Sequence, residues 1–311
     1  MTVTLPAHMS YSQKGSLARC SGAYYLERGL HVPQRPGWAQ IAGNAIHEAT
    51  AWWDAAVLDG QREDDLDELF NSWFDAQIEK VEEREPDFPR ETWRASGRAT
   101  KANPNKEDEA FWRQEGPAQL RRWVNWRLNS GWEIAMLPDP TTGELIPGIE
   151  CEFEFYAGSV KVIGFIDRVF ARDDDLMVVD LKTGSYTPDD EGQLATYRGG
   201  LEEFYGVTPK WGTYWMGRTG STVTPYDLDN WTAQRLAYEY EHARRQQLAG
   251  DFRYKVSRMC GSCSVRDYCA AVGGDLAYTV PQPWEQVELP VISDPSTRSY
   301  DVTPEEEGDT E

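Results

Sequence analysis

The amino-acid sequence predicts a mixed α/β (α+β) fold in which helices enclose a small mixed sheet. Two observations indicate this class. Segments with helical spacing outnumber the strands, and three β-rich runs follow one another directly at about 148–157, 160–171 and 175–182. Short polar turns at 157–159 and 172–175 separate these runs, which is typical of antiparallel hairpins.

The remaining elements are predicted in order along the chain. A Tyr- and Leu-containing helix around Cys20 comes first, followed by a helix in which Ile46, Trp52, Trp53 and Val57 form an apolar face. Helices are expected at about 11–29, 41–58, 64–84, 107–130, 190–205 and 230–249. A second strand pair is expected at 211–217 and 221–227, on either side of a Gly-containing turn.

The charge of the chain is concentrated in two segments. There are 31 Lys and Arg against 52 Asp and Glu, a net charge of −21. Residues 59–115 hold 17 acids and 9 bases, and residues 284–311 hold 9 acids and 1 base. We expect one domain over 1–283 with an acidic helical insertion at about 59–130, followed by an extended and poorly ordered tail at 284–311.

An acidic protein is at first sight a poor partner for DNA, because affinity for DNA comes largely from Lys and Arg. The chain outside the two acidic segments is close to neutral, which weakens that objection. No apolar run approaches the roughly 18 residues that span a bilayer. The first residues lack the pattern of a secretory signal. We expect a cytoplasmic protein with no membrane partner.

Polar residues interrupt two of the apolar strands. Asp167 lies in GFIDRVF, and Asp180 and Lys182 lie two residues apart in LMVVDLKTG, so their side chains leave the same face of the strand. Carboxylates that converge from neighbouring strands suit Mg²⁺ or Mn²⁺, and a nearby lysine can orient or deprotonate a water. The alternative is a set of ordinary ion pairs, Asp180 with Lys182 and Asp167 with Arg168.

Two further segments contribute candidate site residues. His47 lies on the second predicted helix, where it could add an imidazole ligand beside the two Asp residues. Gln193 and Tyr197 are four residues apart and therefore share one helical face. They follow the Asp-x-Lys strand after a short loop, which could bring them over the same pocket.

The cysteines are unevenly placed and odd in number, which does not suit a disulfide framework. Cys260, Cys263 and Cys269 form a C-x2-C-x5-C cluster that indicates metal ligation, within a segment at 255–270. Cys20 or Cys151 would supply a fourth ligand, and we favour Cys20 because Cys151 is expected inside the sheet. Spacing alone does not separate Zn²⁺ from an iron–sulfur cluster.

Taken together, these segments resemble the RecB-like branch of the PD-(D/E)xK nuclease superfamily. Its iron–sulfur members, the AddB-type nuclease domain and the CRISPR-adaptation exonucleases, are the most similar. The motifs occur in the family's order, as Cys20, His47, an acidic strand at 150–155, Gly164 to Arg168 (GFIDR), Asp180 to Gly184 (DLKTG), Gln193 with Tyr197, and the cysteine triplet. Ile166 replaces the proline that often precedes the first motif Asp.

The resemblance implies a restriction-endonuclease-like core and a function. Metal would be bound by His47, Asp167, Asp180 and the carbonyl oxygen of Leu181, while Lys182 would position or activate the attacking water. Gln193 and Tyr197 would support the site or contact the DNA backbone. The resemblance also implies a structural [4Fe–4S] cluster on Cys20, Cys260, Cys263 and Cys269.

The leading functional hypothesis is a Mg²⁺- or Mn²⁺-dependent DNA exonuclease that acts on single-stranded DNA or on free DNA ends, in recombination, repair or phage DNA metabolism. One alternative is a non-catalytic, DNA-end-binding recombination subunit that retains the nuclease fold and the cluster. Another is an acidic protein that imitates DNA. Intact Asp167, Asp180 and Lys182 argue against the first alternative, and the cysteine cluster argues against the second.

Overall fold

The computed structural model describes residues 3–61, 65–101, 103–285 and 288–293. The helices are α1 (Tyr11–Arg19), α2 (Ser21–Tyr24), α3 (Trp38–Leu58), α4 (Leu66–Arg84), α5 (Glu109–Asn129), α6 (Gly192–Gly200) and α7 (Ala233–Leu248). The strands are β1 (Thr4–Pro6), β2 (His8–Met9), β3 (Glu133–Ile134), β4 (Met136–Pro138), β5 (Leu145–Pro147), β6 (Ile149–Ala157), β7 (Val160–Arg172), β8 (Asp175–Lys182), β9 (Trp211–Met216), β10 (Ser221–Thr222), β11 (Tyr226–Asp227) and β12 (Val291–Ser293). The predicted mixed α/β fold is confirmed.

The long strand β7 is the centre of the main sheet. Strands β6 and β8 both pair with β7 in antiparallel orientation, as the two short turns predict, and β9 then pairs with β8 in parallel. Strand β2 runs parallel to β7, while β3, β10 and β11 add short pairings. Two hairpins combined with a parallel pair make the sheet mixed, as the sequence predicts.

Alternation along the strands gives the sheet two apolar faces. Val179 and Leu181 of β8 pack in one cluster with Trp53 of α3 and Trp123 of α5. Val178, one position away, belongs to a different cluster that contains residues of α6 and α7. Each face therefore has its own helical cover, as expected when successive side chains point to opposite sides of a strand.

The acidic insertion forms part of the fold. Its helices α4 and α5 pack on α3, and their apolar residues form a third cluster with Ile46 in which Phe70 and Phe74 are fully buried. The stretch between these helices also contributes to the core, since Phe88 and Trp93 in it are buried. The acidic side chains of the insertion thus surround a true core, and burial of its large apolar groups stabilises this arrangement.

The first predicted helix is interrupted at Cys20. Cys20 has an extended backbone (φ −160°, ψ 96°), and a wide helical turn at Tyr25–Gly29 follows the short α2. The cause is a tertiary contact, because the Gly22 N–H donates to Arg253 O at 2.9 Å. A Cβ on Gly22 would lie 2.4 Å from the Tyr254 ring, so this contact requires glycine.

The predicted irregular tail is wrong for three residues. Strand β12 pairs in parallel with β1, at Thr4 with Val291 and onward. Residues 286–287 and 294–311 of the predicted tail lie outside the described residues. The predicted strand at 221–227 also divides into β10 and β11, since Pro225 has no N–H to donate. Among the described residues, no helix is both long and apolar enough to cross a membrane.

The packing of α5 on α4 predicts opposite effects for two Gly→Ala changes. A Cβ on Gly116 would lie 2.0 Å from the buried Phe70 ring, whereas nothing lies within 4 Å of the same position on Gly15 in α1. Gly116→Ala should lower the free energy of unfolding by about 1–3 kcal/mol through overpacking. Gly15→Ala should raise it by about 0.5–1 kcal/mol.

Urea denaturation of both variants checks this prediction. Equal effects of the two substitutions would show that Phe70 does not fix the distance between α4 and α5. Phe70→Leu combined with Gly116→Ala should recover part of the lost stability.

Candidate active site

Three carboxylates occupy neighbouring positions on three adjacent strands. The β7–β8 ladder ends at the pair Arg168 and Val179, and the next residues are Asp167 and Asp180. The β6–β7 ladder pairs Ile149 with Arg168 and Cys151 with Ile166, so that Glu150 faces Asp167 between them. Asp167 and Asp180 are buried. Buried like charges are unfavourable unless cations offset them.

His47 of α3 meets this group from outside the sheet. Its Nδ1 lies 3.6 Å from Asp167 Oδ1 and 3.8 Å from Glu150 Oε1, and its Nε2 lies 3.2 Å from the carbonyl oxygen of Leu181. Ligand atoms of His47, Glu150 and Asp167 all lie within 4.8 Å of one another. Within the described residues, no other group of three His, Cys, Asp or Glu side chains comes this close.

Two features of α3 bring His47 to the strands. Ile46 and Ala49 on the same helix are fully buried, which fixes the rotation of α3. One turn before His47, a Cβ on Gly43 would lie 3.2 Å from Thr183 Oγ1, so glycine lets the helix approach the end of β8.

The charges of the site shift the pKa values of its members. Burial acts to lower the pKa of His47, but the negative charges of Asp167 and Glu150 outweigh it and raise this pKa to about 9. Burial, together with the neighbouring Asp180 and Glu150, raises the pKa of Asp167 above its usual range. Without a metal, the imidazolium is thus the cation nearest to Asp167.

Asp180, Lys182, Gln193 and Tyr197 form a closed polar ring. Lys182 Nζ lies 2.6 Å from Asp180 Oδ2 and donates to Gln193 Oε1 at 2.8 Å. Gln193 Nε2 contacts the Tyr197 hydroxyl at 2.9 Å, and that hydroxyl donates to Asp180 Oδ1 at 3.0 Å. Burial and the two nearby Asp residues raise the pKa of Tyr197 well above its usual value, so the phenol keeps its proton.

This donor set fits a hard divalent cation. It offers carboxylate oxygens and one carbonyl oxygen, which are the ligand types preferred by Mg²⁺ and Mn²⁺, together with one imidazole nitrogen. The ion pair between Lys182 and Asp180 Oδ2 lacks hydrogen-bond geometry, so that this buried oxygen has no hydrogen-bond partner. One buried carboxylate oxygen therefore remains able to accept a ligand.

Glu150 was not predicted as a site residue. Its strand was predicted, but in ECEFEF it resembles the exposed acids that alternate with apolar residues. In the structure Glu150 has a positive φ of 45°, which is strained for a residue with a side chain. Strain of this kind is often concentrated at functional sites. The feature that could have identified Glu150 as a site residue is the register of the two strands, which puts Glu150 opposite Asp167.

The four cysteines of the predicted cluster lie near one another without a closed ligand set. Cys20 Sγ accepts from the Lys255 N–H at 3.4 Å, which brings it to the C-terminal segment. Burial raises the pKa of both Cys263 and Cys269, and the Cys20 thiol contributes to each shift. Tetrahedral sulfurs at about 2.3 Å from zinc would lie within 4 Å of one another. No three of these described sulfurs are within 4.8 Å of one another.

Cys151 is separate from this group, as the sequence predicts. It is buried in the core of the sheet, where its Sγ contacts Pro147 O at 3.6 Å. Burial raises the pKa of its thiol to about 12.

The fold and the carboxylate site place the chain in a known class. A family model of the PD-(D/E)XK nuclease superfamily matches residues 8–270, a range that contains the whole main sheet and the site. The chain belongs to this superfamily, and the predicted restriction-endonuclease-like fold is confirmed. Nucleases of this superfamily use divalent metals, and the His47, Glu150 and Asp167 group could bind one.

Two phage proteins are similar to the chain over most of its length. The Gene 69 protein of Mycobacterium phage L5 is 31% identical over 291 residues, covering 86% of this chain and 98% of that protein. The Gene 69 protein of Mycobacterium phage D29 is 32% identical over 251 residues, covering 78% and 88%.

The site predicts a metal-dependent gain in stability. Mn²⁺ should raise the thermal midpoint, because an ion that binds the folded state alone stabilises it by about 2.7 kcal/mol at a hundred times its dissociation constant. Asp167→Asn should abolish most of this rise while leaving the metal-free midpoint no lower than that of the parent, since it removes a buried like charge. The exposed Asp173, in the β7–β8 turn, provides the control Asp173→Asn.

Differential scanning calorimetry with and without Mn²⁺ measures both effects. A full metal-dependent rise in Asp167→Asn would show that the stabilising ion binds elsewhere on this acidic protein.

Proposed function

We propose that the protein is a Mg²⁺- or Mn²⁺-dependent deoxyribonuclease, and that it acts as an exonuclease at DNA ends. The observation that carries the proposal is the convergence of His47, Asp167 and Asp180 beside Lys182, in a chain of the PD-(D/E)XK nuclease superfamily. The similarity to two phage proteins favours a phage setting, and we place the activity in phage DNA metabolism, recombination or repair, in the cytoplasm of a bacterial host.

The metal ligands in this proposal are His47, Glu150, Asp167, Asp180 and the carbonyl oxygen of Leu181. When bound there, a divalent ion supplies charge that stabilises the phosphoryl transition state and lowers the pKa of water. The chain itself fixes Asp167, whose Oδ2 accepts from the Leu181 N–H at 2.6 Å. This hydrogen bond ties the end of β8, including the Leu181 carbonyl, to the carboxylate of β7.

The formal charge of the site suits a phosphodiester. A metal-ligating His47 is neutral, so three carboxylates are then opposed by Arg168, which contacts Glu150 at 2.9 Å, and by Lys182. The site carries one net negative charge on this count, and one divalent ion converts it to one net positive charge. A single phosphodiester carries the complementary charge, so DNA binding here should depend on the metal.

Lys182 is the residue that we expect to orient or deprotonate the attacking water. Its Nζ is part of the polar ring, in which it contacts both Gln193 and Asp180. The Lys182 side chain is also 28% exposed, so a water or a phosphate can reach it. Gln193 and Tyr197 act by fixing the position of this amine.

Loss of the amine should remove activity and leave the fold intact. Lys182→Ala is expected to reduce the rate of hydrolysis of linear DNA by about 10²- to 10⁴-fold, the usual contribution of general acid–base catalysis. Lys80→Ala, on the exposed surface of α4, should have no effect. The measurement is release of label from end-labelled single- and double-stranded DNA with Mn²⁺.

Covalently closed circular DNA tests the exonuclease assignment in the same assay. Linear DNA should be degraded and closed circles spared, and nicking of circles would instead indicate an endonuclease. A parent protein that binds DNA ends in Mn²⁺ but releases no label would favour the non-catalytic end-binding subunit. Equal rates for the parent and Lys182→Ala would contradict the role given to Lys182.

We further propose that Cys20, Cys260, Cys263 and Cys269 hold a [4Fe–4S] cluster with a structural role. The proposal rests on the triplet spacing and on the approach of Cys20 to Lys255, far away in sequence. A cluster of four irons is larger than a single ion, so it does not need sulfurs as close as a zinc site does. Bound there, it would join the two ends of the domain.

Anaerobic purification tests the cluster. The parent should be coloured and contain iron and sulfide, Cys20→Ser should lose most of the iron, and the matched change Cys151→Ser should retain it. A colourless protein with stoichiometric zinc would contradict the iron–sulfur assignment.

A further inference from the structure

Behind the metal ligands lies a buried ion network that extends from Arg168 to residues outside the proposed site. The Arg168 side chain is completely buried on the strand next to Asp167. Its Nε donates to Asp54 Oδ2 at 2.8 Å, and Asp54 is also fully buried. A charge at either position would be costly without its partner, so the two side chains depend on each other.

The two terminal nitrogens of Arg168 donate hydrogen bonds to the site itself. One terminal nitrogen donates to Glu150 Oε1 at 2.9 Å and to the backbone carbonyl of Asp167. The other donates at 3.0 Å to Thr50 Oγ1, which in turn donates at 2.9 Å to His47 O. Arg168 therefore contacts one ligand side chain directly and reaches the backbones of two others.

Asp54 determines the orientation of the Arg168 guanidinium. An Arg fork has five N–H donors in a fixed plane, so the bond from Nε to Asp54 sets the direction of the two terminal nitrogens. Glu150 needs this support because its φ of 45° is strained. The geometry can persist only when surrounding contacts hold it in place.

The inserted helix α5 holds Asp54 from the other side. Arg127 Nε donates to Asp54 Oδ1 at 2.8 Å, and Trp123 Nε1 donates to Oδ2 at 3.2 Å. Arg127 is 10% exposed and also donates to Trp132 O at 2.6 Å. Each carboxylate oxygen of Asp54 thus has a partner on α5, within the segment that the sequence identifies as an insertion.

We propose that Asp54 is a positioning residue for the metal site and that the inserted helix α5 holds it in place. The inserted segment then has a specific role. Its helix α5 contacts Asp54, and Asp54 in turn holds Arg168 behind Glu150 and Asp167. This inference rests on the proposed metal-dependent function. Residues that orient metal ligands typically contribute about 10- to 100-fold to metal affinity.

Direct Mn²⁺ binding, followed by electron paramagnetic resonance of the free ion, tests the proposal without an activity assay. Asp54→Asn and Arg127→Gln should each raise the dissociation constant about tenfold or more. Arg127→Lys, which keeps the charge, should restore part of the affinity. Near-ultraviolet circular dichroism verifies that each variant is folded. If Asp54→Asn does not fold, Arg127→Gln still decides the question, because it leaves the Asp54–Arg168 pair intact.

Two controls distinguish a positioning role of Asp54 and Arg127 from a general effect on protein stability. Arg113 on the same helix pairs with Asp75 at 2.7 Å on the outer surface, so Arg113→Gln and Asp75→Asn should leave the Mn²⁺ affinity unchanged. Val81→Ala, in the buried core of α4, should lower the thermal midpoint without changing the affinity.

The outcomes for the inference and for the proposed function are distinct. A parent that binds Mn²⁺ no better than Asp167→Asn overturns the metal site, and the inference with it. A parent that binds Mn²⁺ at that site, together with folded Asp54→Asn and Arg127→Gln proteins of equal affinity, overturns the inference alone. An equal loss of affinity in Val81→Ala also overturns it, since a general loss of stability would then explain the effect.

Discussion

The crowding of Glu150, Asp167 and Asp180 at one edge of two hairpins is the constraint on which the structure depends. Each acid contacts a cation, and the three cations come from different elements: Arg168 of β7, His47 of α3 and Lys182 of β8. Like charges at this distance persist in a folded protein only with such compensation. The compensation, rather than the acids themselves, determines which helices must pack against the sheet.

This requirement explains the arrangement of the helices. Helix α3 must approach the end of β8 closely enough for His47 to reach the Leu181 carbonyl, which Gly43 permits. Helix α6 brings Gln193 and Tyr197 over Lys182 and Asp180 from the opposite face. Helices α4 and α5 pack on α3 through an apolar core, so the acidic segment contributes to the geometry of the site.

Much of the fold and of the site could be predicted from local patterns. The two hairpins followed from turn residues between apolar runs, and the pairing of Asp167 with Asp180 followed from strand register. Glu150 was missed because its role depends on a strained backbone and on a cross-strand neighbour, which only the register of β6 against β7 reveals. The break at Cys20 depends on a contact with residue 253, and the two- and three-residue strands are too short for any periodicity. Asp54 was likewise hidden, since its partners are remote in sequence.

The distribution of charge now has a structural meaning. Much of the net negative charge lies in residues 59–115 and 284–311, whereas the acids of the site are paired. The decisive question is therefore where a divalent ion binds in so acidic a protein. Anomalous diffraction from crystals grown with Mn²⁺ is the most direct measurement. We expect an anomalous peak in contact with Asp167, His47 and the Leu181 carbonyl oxygen. Peaks confined to surface carboxylates, with this group of ligands bound to no ion, would contradict it.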